Sequence, residues 1–398
     1  MHIGVSGPIY VREFEDFLSQ SDYRRGRKLG LGGSQVNQIC VELLDRGYEL
    51  TIFTVAKDVD EEVILDGPNL RICIGPYRRS GRARGLDFFR VERKYLERAV
   101  RRESPDFVHA HWTYEFALGP MATSVPVLTT IRDWAPRILR EDLSIYRFLR
   151  LLMAVWVFVK GRHFTSNSEY IRQYAERWTL HQAPVVPNGL HDRYFLDRDA
   201  ERLPDLDAPT LISINNGFSP LKNVRTLLRA FQHVRNRHPQ ATLRLLGARY
   251  GDGEEAHRWS QKHGLSDGVD FVGHVGHEEV VTALRETELL VHPSLEESFG
   301  NTLVEAMAQR TPVVGGKESG AVPWVLDEGQ AGLLTDVSSP KALAESITRI
   351  LDSEDLWSSY SGAGYQRAHT YFRLSQVVDQ YIDQYKQLLS DNESPSHP

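Results

Sequence analysis

Two carboxylates and a glycine-containing loop lie close together in residues 292–308, HPSLEESFGNTLVEAMA. An apolar run precedes the loop and a helical pattern follows it, so Phe299, Gly300 and Asn301 stand at the start of a helix. Their backbone N–H groups are expected to bind an anion, because the positive end of the helix dipole favours negative charge. Gly300 lets a phosphate approach the backbone closely. The segment predicts a binding site for a diphosphate.

The two carboxylates, Glu297 and Glu305, are eight residues apart. If both were helical, they would lie about two turns apart on one side of the helix and bracket the anion site. Carboxylates cannot bind the phosphates themselves without a metal. We therefore expect them to accept hydrogen bonds from hydroxyl groups, one on a sugar and one on a ribose. A sugar nucleotide carries both kinds of hydroxyl.

The pattern around these residues, PSLEESFGNTLVEAMA, resembles the signature of retaining glycosyltransferases of family 4, also called glycosyl transferases group 1. The resemblance extends over most of the chain and includes residues 30–34, 187–189, 222–223 and 311–314. It implies the GT-B fold, an α/β architecture in which two doubly wound, Rossmann-like domains face each other across a cleft. It also implies that Glu297 contacts the donor sugar and Glu305 the ribose.

Lys222 follows a turn after the predicted strand 210–214, so its ammonium group can point at the same diphosphate. A cation there would neutralise the leaving group of a transfer reaction. In the family this lysine usually has an arginine partner five residues earlier, where this chain has Gly217. Either Arg249 or Arg225 supplies the second charge, or the site is weaker or specialised.

A glycine-rich turn, GLGGS at residues 30–34, precedes the first helical pattern. Gln35 interrupts the full G-x-G-x-x-G pattern, and G-x-x-x-x-G-K-[ST] occurs nowhere in the chain, so dinucleotide and ATP binding are disfavoured. The resemblance implies that Gly32 and Gly33 bring the backbone close to the donor phosphate or the acceptor. The alternative is a turn that serves only helix and strand geometry.

Residues 129–134, TTIRDW, end another predicted strand. Family members commonly have a histidine where this chain has Arg132, next to an aspartate that matches Asp133. A guanidinium group is permanently charged and binds carboxylate or phosphate through two hydrogen bonds. We hypothesise that Arg132 meets an anionic group on the donor or acceptor; the alternative is a structural arrangement of Arg132 with Asp133.

No nucleophile is evident from the residues, because G-x-S-x-G, H-E-x-x-H and C-x-x-C are all absent. We expect His109 and His111 on opposite sides of their strand, which argues against a metal site. Three Asp-x-Asp pairs stand in charged loops, where we interpret them as solvated: Asp58/Asp60, Asp197/Asp199 and Asp205/Asp207. The resemblance implies a metal-independent transfer with retained anomeric configuration, in which the donor phosphate assists the acceptor proton.

The predicted catalytic residues are Glu297, Lys222, Arg132 and Asp133. The predicted donor-binding residues are Glu305, Gly32, Gly33, Phe299, Gly300, Asn301, Thr302 and Gly217. We predict no metal ligand and no cofactor; a UDP- or GDP-sugar acts as co-substrate.

The elements that must position these residues alternate between short apolar runs and longer helical patterns, which is typical of parallel α/β sheets. One series predicts strands at residues 2–5, 50–55, 71–74, 107–111, 127–131, 163–166 and 184–186. The second predicts strands at residues 210–214, 242–246, 269–272, 289–291, 312–314 and 332–334. A polar linker at 191–204 separates an acceptor-binding domain, 1–187, from a donor-binding domain, 190–372. Helix 374–390 is expected to pack back on the first domain, and 391–398 to form a disordered tail.

Composition supports a protein of at least two domains. The chain has 398 residues, of which 41% are hydrophobic and 25% charged, and no apolar run approaches a membrane span. Two cysteines, Cys40 and Cys73, favour a reducing compartment, and the N-terminus starts as a strand without a secretory signal, so we expect a cytoplasmic protein. Residues 1–200 carry a net charge of +3 and residues 201–398 a net charge of −9.

A basic and apolar segment in the first half suggests a membrane partner. Residues 151–159 are all apolar and are flanked by Arg147, Arg150, Lys160 and Arg162. The segment is too short to span a bilayer but could lie on an anionic membrane surface. We expect further basic residues of the same half to belong to this surface: Arg24, Arg25, Arg27, Lys28, Arg78, Arg79, Arg82 and Arg84. A buried core helix with solvated arginine loops is the alternative.

The sequence thus predicts transfer of a sugar from a nucleotide sugar to a glycan, lipid-linked or small-molecule acceptor, in cell-surface polysaccharide or glycoconjugate biosynthesis. Two alternatives remain open: a catalytically impaired sugar-nucleotide-binding protein, and an epimerase or phosphorylase on the GT-B fold. Nucleic acid is not an expected partner, because the basic residues lack a recognisable module or aromatic interleaving.

Overall fold

The computed structural model describes residues 1–141, 143–196 and 202–393. These residues divide into two compact units. Unit 1 comprises Met1–Gly189 and the C-terminal helix that begins at Leu374, and unit 2 comprises Leu190–Arg373. Each unit has its own sheet and its own apolar core.

Unit 1 is built on a seven-stranded sheet in the order β3-β4-β2-β1-β5-β6-β7. The strands are β1 (His2–Ser6), β2 (Glu49–Ala56), β3 (Val63–Asp66), β4 (Leu70–Pro76), β5 (Phe107–His111), β6 (Val127–Ile131) and β7 (His163–Ser166). All pairings are parallel except that of β3 with β4. Strand β2 is buried along nearly its whole length, which explains its almost continuous apolar sequence.

Helices cover the sheet of unit 1. They are α1 (Gln20–Gly26), α2 (Ser34–Asp45), α3 (Gly81–Leu86), α4 (Arg90–Glu103), α5 (Glu115–Leu118), α6 (Ala135–Glu141), α7 (Ile145–Lys160), α8 (Glu169–Ala175) and α16 (Leu374–Glu393). Helix α16 packs on α2 and buries Tyr381 and Tyr385 completely. The ring of Tyr385 lies 4.7 Å from that of Phe107 on β5. The C-terminal helix is therefore part of the core of unit 1.

Unit 2 is built on a six-stranded, fully parallel sheet in the order β10-β9-β8-β11-β12-β13. Its strands are β8 (Thr210–Ile214), β9 (Thr242–Leu246), β10 (Val269–Gly273), β11 (Leu289–His292), β12 (Val313–Gly316) and β13 (Leu333–Thr335). Its helices are α9 (Val224–Arg237), α10 (Glu255–Lys262), α11 (His277–Arg285), α12 (Asn301–Ala308), α13 (Val322–Val325), α14 (Pro340–Leu351) and α15 (Glu354–Tyr371). Short 3-10 helices complete the two units at Val11–Phe17, Pro120–Ala122, Asp192–Tyr194, Pro220–Lys222 and Asp327–Gly329.

The structure differs from the sequence predictions in four places. The antiparallel edge strand β3 was not predicted, and residues 184–186 form only an isolated bridge between Ser166 and Val185. The described residues of the expected linker, 191–196 and 202–204, belong to unit 2, where Tyr194 is buried in an apolar cluster. Residues 391–393 continue α16 rather than starting a disordered tail, and residues 394–398 lie outside the described residues.

Candidate active site

The motif of residues 292–308 folds as strand, loop and helix at the carboxyl end of the sheet of unit 2. Strand β11 ends at His292, and α12 begins at Asn301 after Gly300, whose φ of 93° lies in the left-handed region. This conformation favours glycine, and a Cβ atom on Gly300 would also come within 2.9 Å of the Cδ1 atom of Leu303, so that side chain would have to shift. The first N–H groups of a helix lack partners within the helix, and ligands bind at the carboxyl ends of such sheets.

The predicted donor-binding residues around this turn take different positions. Asn301 and Thr302 are half-buried in the first turn of α12, where they are placed to present their backbone to a ligand. The side chain of Phe299 is 2% exposed and packs edge-on against the rings of Trp324 and Phe372. Phe299 thus anchors the loop in the core, and only its backbone is available to a ligand.

Glu297 lies in the loop before α12, not on the helix. The picture of Glu297 and Glu305 two turns apart on one helix is therefore wrong, because the left-handed Gly300 ends the loop between them. The backbone oxygen of Glu297 accepts a hydrogen bond from the Ala321 N–H group at 2.9 Å. A Cβ atom on Gly320 would lie 2.3 Å from that oxygen, so the two loops pack backbone against backbone.

The carboxylate of Glu297 is held between two basic side chains. Lys222 Nζ donates a hydrogen bond to Glu297 Oε1 at 2.6 Å, and His292 Nε2 lies 3.4 Å from the same oxygen. Burial alone raises the pKa of this carboxyl, but the adjacent His292 ring and then the Lys222 ammonium group lower the pKa of Glu297 to about 2. Glu297 is therefore ionised at neutral pH and can accept hydrogen bonds from hydroxyl groups.

Backbone hydrogen bonds place Lys222 beside this loop. Lys222 ends the 3-10 helix Pro220–Lys222, and the neighbouring Leu221 accepts a hydrogen bond from the Leu295 N–H group at 2.8 Å. The amide group of Asn223 donates to the backbone oxygens of Pro293 and Val337 at 3.1 and 2.8 Å. The lysine loop and the motif loop thus form one hydrogen-bonded assembly, which brings Lys222 and Glu297 together.

His292 was missed by the sequence analysis. It is 2% exposed, and neither ring nitrogen makes a hydrogen bond to the described residues, although Nε2 faces Glu297. The signal was present in the sequence, since His292 is the last residue of a buried apolar strand and directly precedes the motif loop. A polar residue at that position lies where the sheet opens to a ligand.

Glu305 lies on α12 in a different electrostatic environment. Its side chain is 13% exposed, and its Oε1 atom is 3.8 Å from the Nδ1 atom of His277, at the start of α11. Burial raises the pKa of Glu305, and the nearby His277 opposes this shift. His277 was also missed by the sequence analysis; its ring lies 4.7 Å from that of Tyr194.

Gly217 has a left-handed φ of 88°, and no heavy atom outside its chain neighbours lies within 4 Å of a Cβ placed there. A larger side chain would fit in space but would strain the backbone. Arg249 and Arg225, the two candidates for the missing cation, both have partners away from Glu297. Arg249 is paired with Glu255 at 2.9 Å, and the Arg225 guanidinium lies over the rings of Phe218 and Trp259 at 4.9 and 5.6 Å.

In unit 1, Gly32 and Gly33 form the turn that leads into α2, with φ angles of 105° and 98°. A Cβ atom on Gly33 would lie 2.1 Å from the Pro8 oxygen, so Gly33 is required by the close approach of two backbone segments. The nearest atom to a Cβ on Gly32 is the Tyr10 hydroxyl oxygen at 3.5 Å, so there conformation alone requires glycine.

Arg132 follows β6 and is 6% exposed. Its Nη1 group donates to Asn188 Oδ1 at 2.6 Å, and its Nε group donates to His111 Nδ1 at 3.2 Å. Burial lowers the pKa of Arg132. These two hydrogen-bond partners carry no negative charge, so they do not neutralise the guanidinium.

Asp133 points to a different cluster, so the alternative of an Arg132–Asp133 pair is not what the structure contains. Asp133 Oδ1 accepts a hydrogen bond from the Tyr114 hydroxyl at 3.0 Å. Burial raises the pKa of Asp133, while Arg150 and the Tyr114 hydroxyl oppose the shift. The Arg150 guanidinium lies 3.6 Å from the centre of the Tyr114 ring.

The expectation that His109 and His111 lie on opposite sides of β5 is wrong. Side chains two residues apart in a strand share a face, and the two rings lie 4.0 Å apart. His109 is hydrogen-bonded to the Tyr385 hydroxyl at 2.8 Å and to Thr130 Oγ1 at 2.7 Å. Burial lowers the pKa of both histidines well below the usual value, so both are neutral at pH 7.

Two of the three Asp-x-Asp pairs lie within the described residues. Asp58 pairs with Arg79 at 2.8 Å, and Asp205 Oδ1 accepts the backbone N–H groups of Asp207 and Ala208. Asp197 and Asp199 lie outside the described residues. Within residues 1–141, 143–196 and 202–393, no three His, Cys, Asp or Glu side chains cluster in a way that could hold a metal ion.

Comparison with known families gives two matches that together cover most of the chain. Glycosyltransferase Family 4 matches residues 32–193, and Glycosyl transferases group 1 matches residues 197–367. The phosphatidyl-myo-inositol mannosyltransferase of Mycolicibacterium smegmatis is 25% identical over 349 residues, which cover 85% of each chain.

Two solved structures share the GT-B fold of this chain. Sucrose-phosphate synthase from Thermosynechococcus elongatus aligns with a TM-score of 0.76 and 19% identity over 98% of this chain and all of that one. The Anabaena protein HepE, solved in complex with UDP and glucose, aligns with a TM-score of 0.68 and 16% identity over 97% of this chain and all of that one. The predicted fold class, two Rossmann-like α/β domains of GT-B type, is confirmed.

Proposed function

Because this chain belongs to glycosyltransferase family 4, we propose that it is a retaining enzyme that transfers a sugar from a UDP- or GDP-sugar to a hydroxyl group of its acceptor. The acceptor is a glycan, a lipid-linked compound or a small molecule, and the product enters cell-surface polysaccharide or glycoconjugate biosynthesis. Residues 190–372 bind the donor, and residues 1–187 bind the acceptor. The observation that carries the proposal is the ionised Glu297, held by Lys222 and His292 in front of the first turn of α12.

In this proposal the diphosphate of the donor lies at the first turn of α12, next to Gly300. The helix dipole and the Lys222 ammonium group favour the charge that develops as the bond to the sugar breaks. Lys222 is paired with Glu297 in the structure, so it is already directed toward the motif loop. Because unit 2 is acidic overall, the attraction for phosphate has to come from the start of α12 and from Lys222.

The two carboxylates take different hydroxyl groups. Glu297, with a pKa of about 2, accepts hydrogen bonds from the donor sugar. Glu305, which is 13% exposed and lies beside His277, accepts from the ribose. Asn301 and Thr302 complete the donor site through the helix start, while Phe299 fixes the loop from behind.

Unit 1 contributes Arg132, Asp133, Gly32 and Gly33 in this proposal. Arg132 meets an anionic group of the donor or acceptor, which is supported by a buried guanidinium group whose hydrogen-bond partners are uncharged. Substitution of Arg132 by His should therefore shift selectivity from charged toward neutral substrates. Equal selectivity of the R132H variant and the unaltered protein would contradict this role.

No residue of the chain is assigned as a covalent nucleophile. The acceptor hydroxyl attacks the anomeric carbon on the face that the diphosphate leaves, the carbon–oxygen bond to the phosphate breaks, and the hydroxyl proton passes to the departing phosphate oxygen. The new glycosidic bond replaces the bond to phosphate, and the proton leaves with the nucleoside diphosphate. The configuration at the anomeric carbon is retained. No metal ion is assigned a role.

The test is a screen of UDP- and GDP-sugars for release of the nucleoside diphosphate, with and without candidate acceptors, followed by NMR of the anomeric linkage. Acceptor-dependent release with retained configuration supports the proposal, and an inverted product contradicts the retaining mechanism. The E297Q variant is the control for contaminating activity.

A second function, donor binding without transfer, is favoured by one observation. Gly217 leaves the position of the usual arginine without a cation, and its left-handed backbone disfavours one. This alternative predicts that a nucleotide sugar raises the melting temperature while no nucleoside diphosphate is released in a long incubation. Conversion of donor without acceptor, or dependence on inorganic phosphate, would instead identify an epimerase or a phosphorylase.

We further propose that the enzyme works on the cytoplasmic face of a membrane as a peripheral protein. No helix among the described residues combines the length and the apolar character needed to cross a bilayer. The support comes from exposed apolar and basic residues of unit 1 on and around α7.

A further inference from the structure

Helix α7 (Ile145–Lys160) has two apolar faces. Met153, Ala154, Val157 and Phe158 are buried in the core of unit 1. On the other side a stripe of five large apolar side chains is exposed, with 76%, 49%, 39%, 36% and 78% of their surface accessible: Ile145, Phe148, Leu152, Trp156 and Val159. Their spacing of three and four residues places all five on one face of the helix. A surface helix in water normally has polar residues there.

The exposed apolar surface is concentrated in this part of the molecule. Fourteen large apolar side chains are exposed in the described residues, and eight of them lie between Leu86 and Val159. Besides the α7 stripe these are Leu86 at the end of α3, Val91 on α4, and Leu143, which is 86% exposed. Large apolar patches of this kind mark an interaction surface.

A groove between α3 and α7 adjoins the stripe. Its volume is about 750 Å³, which lies in the range that accommodates a small apolar ligand. Leu86, Ile145 and Leu149 line it, and Arg82 lies at the same groove. A Cβ atom on Gly85 would lie 3.3 Å from Leu149 Cδ1, so glycine at this position permits α3 and α7 to pack closely.

The chain segment that carries the stripe is basic. Residues 143–162 contain four basic residues and no acidic one, and the nearest acidic residues in sequence are Glu141 and Asp142. The Trp156 ring has the Arg93 guanidinium 4.7 Å away and Lys160 Nζ 5.4 Å away. An exposed tryptophan beside cations is the combination that settles at the boundary between lipid headgroups and acyl chains.

The structure changes which arginines belong to this surface. Arg78 is engaged by Asp87 and Glu92 at 2.8 and 2.7 Å, and Arg84 is buried over the Tyr77 ring. Arg79 is paired with Asp58. Of the four arginines at 78–84 grouped by the sequence analysis, Arg82 is therefore the one that is both exposed and at the groove.

We propose that the α7 stripe and the adjoining α3–α7 groove dock unit 1 on a bilayer that contains anionic phospholipids. Helix α7 then lies in the plane of the interface, the five apolar side chains enter the acyl boundary, and Arg82, Arg93 and Lys160 contact the headgroups. The docking proposal rests on the membrane contact in the proposed function and names the surface that makes it. It can be tested separately from sugar transfer, because no residue of the stripe is assigned to the active site.

The test is flotation of the full chain with phosphatidylcholine vesicles that do or do not contain phosphatidylglycerol. We expect binding to the anionic vesicles and loss of roughly tenfold or more in affinity for the triple variant I145S/F148S/V159S, because three apolar contacts are removed. Leu180→Ser is the matched control, since Leu180 is a fully exposed apolar residue of unit 1 outside the stripe. Double neutralisation by R82Q/K160Q should cut the preference for anionic vesicles by roughly fivefold or more.

Trp156 provides a direct probe. Vesicles should shift the fluorescence of the unaltered protein to shorter wavelength, and most of that shift should be absent in W156F. Failure of the unaltered protein to float, or equal flotation of the triple variant and L180S, would overturn the proposal. A concentration-dependent dimer in sedimentation that is lost in the triple variant, without vesicle binding, would assign the surface to a second copy of the chain. Nucleoside diphosphate release with a water-soluble acceptor is unaffected by any of these outcomes.

Discussion

Polar clusters lie at the carboxyl ends of strands in both units, but they are built in opposite ways. In unit 2, Glu297 and Lys222 are opposite charges 2.6 Å apart, carried by loops that hydrogen-bond to each other. In unit 1, Arg132 is a buried cation whose hydrogen bonds go to the uncharged His111 and Asn188. The first cluster is neutralised by its own chain, and the second is not. We infer that the two units recognise different parts of the reactants.

The largest effect should come from breaking the charged cluster of unit 2. Glu297→Gln keeps the shape of the side chain but leaves Lys222 and His292 without a carboxylate. We expect kcat with the best nucleotide sugar to fall roughly 100- to 1,000-fold, the usual loss when a charged group facing the transition state is removed. Glu318→Gln, at an exposed residue of unit 2, is the control and should retain full activity. An E297Q enzyme within a few fold of the unaltered protein would remove Glu297 from the proposed mechanism.

The second prediction separates the two carboxylates of unit 2 by pH. The pKa of Glu297 is lowered from about 4.5 to about 2, so its ionised form stabilises the fold above pH 4.5 and this contribution is lost as the pH falls toward 2. The stability of E297Q should therefore depend less on pH in this window, with a difference of roughly 1–3 kcal/mol from the unaltered protein at pH 7.

Glu305 should show the opposite sign. Burial raises its pKa, so its stabilising contribution is present below pH 4.5 and is lost as the pH rises through the folded-state pKa. E305Q should accordingly gain stability relative to the unaltered protein between pH 4.5 and pH 7. Thermal unfolding of the three proteins across pH 3–7 measures both effects. Parallel curves for E297Q and E305Q would show that the two carboxylates do not differ as described.

The contrast between the units also explains what the sequence could predict. Several strands, such as β2 and β11, are near-continuous apolar runs. The motif of unit 2 is contiguous, so its loop and helix could be recognised from neighbouring residues. The partners of the unit 1 cluster are far apart in the chain: Tyr385 bonds to His109 across 276 positions, and Asn188 bonds to Arg132 across 56. Patterns of neighbouring residues in the sequence cannot predict hydrogen bonds between residues so far apart.

The remaining errors have local physical causes. Strand β3 is an antiparallel edge strand of four residues, and its apolar run is only three residues long. His109 and His111 were misassigned because alternation in a strand returns to the same face after two residues. Arg78 and Arg84 looked like surface charges, but Glu92 and the Tyr77 ring satisfy them within unit 1.

The third prediction concerns the cluster of unit 1. Tyr385→Phe removes the hydroxyl that bonds to His109 and leaves a buried ring nitrogen without its partner. The expected loss of stability is about 1–3 kcal/mol. Urea unfolding measures it, with Tyr371→Phe as the control because Tyr371 is half exposed. Equal stability of the two variants would show that the bond between α16 and β5 does not contribute to the fold.

The smallest effect should come from adding charge to unit 2. Gly217 occupies the position at which the family usually has an arginine, and a Cβ atom there meets nothing within 4 Å. Its left-handed φ of 88° means that any larger residue costs about 1–2 kcal/mol in the backbone. We expect Gly217→Arg to lower stability by this amount while raising the affinity for UDP or GDP roughly fivefold, since a second cation joins Lys222 near the diphosphate.

Gly217→Ala is the matched control for this last comparison, because it introduces the same backbone strain without a charge. Calorimetric titration with UDP and GDP should give tighter binding for G217R than for G217A, and the difference should shrink as the salt concentration rises. If the two variants bind equally, the cluster of Lys222, His292 and Glu297 needs no second cation. The phosphate site of this chain would then depend on the helix start and Lys222 alone, and the absence of arginine at position 217 would be a property of the site rather than a defect.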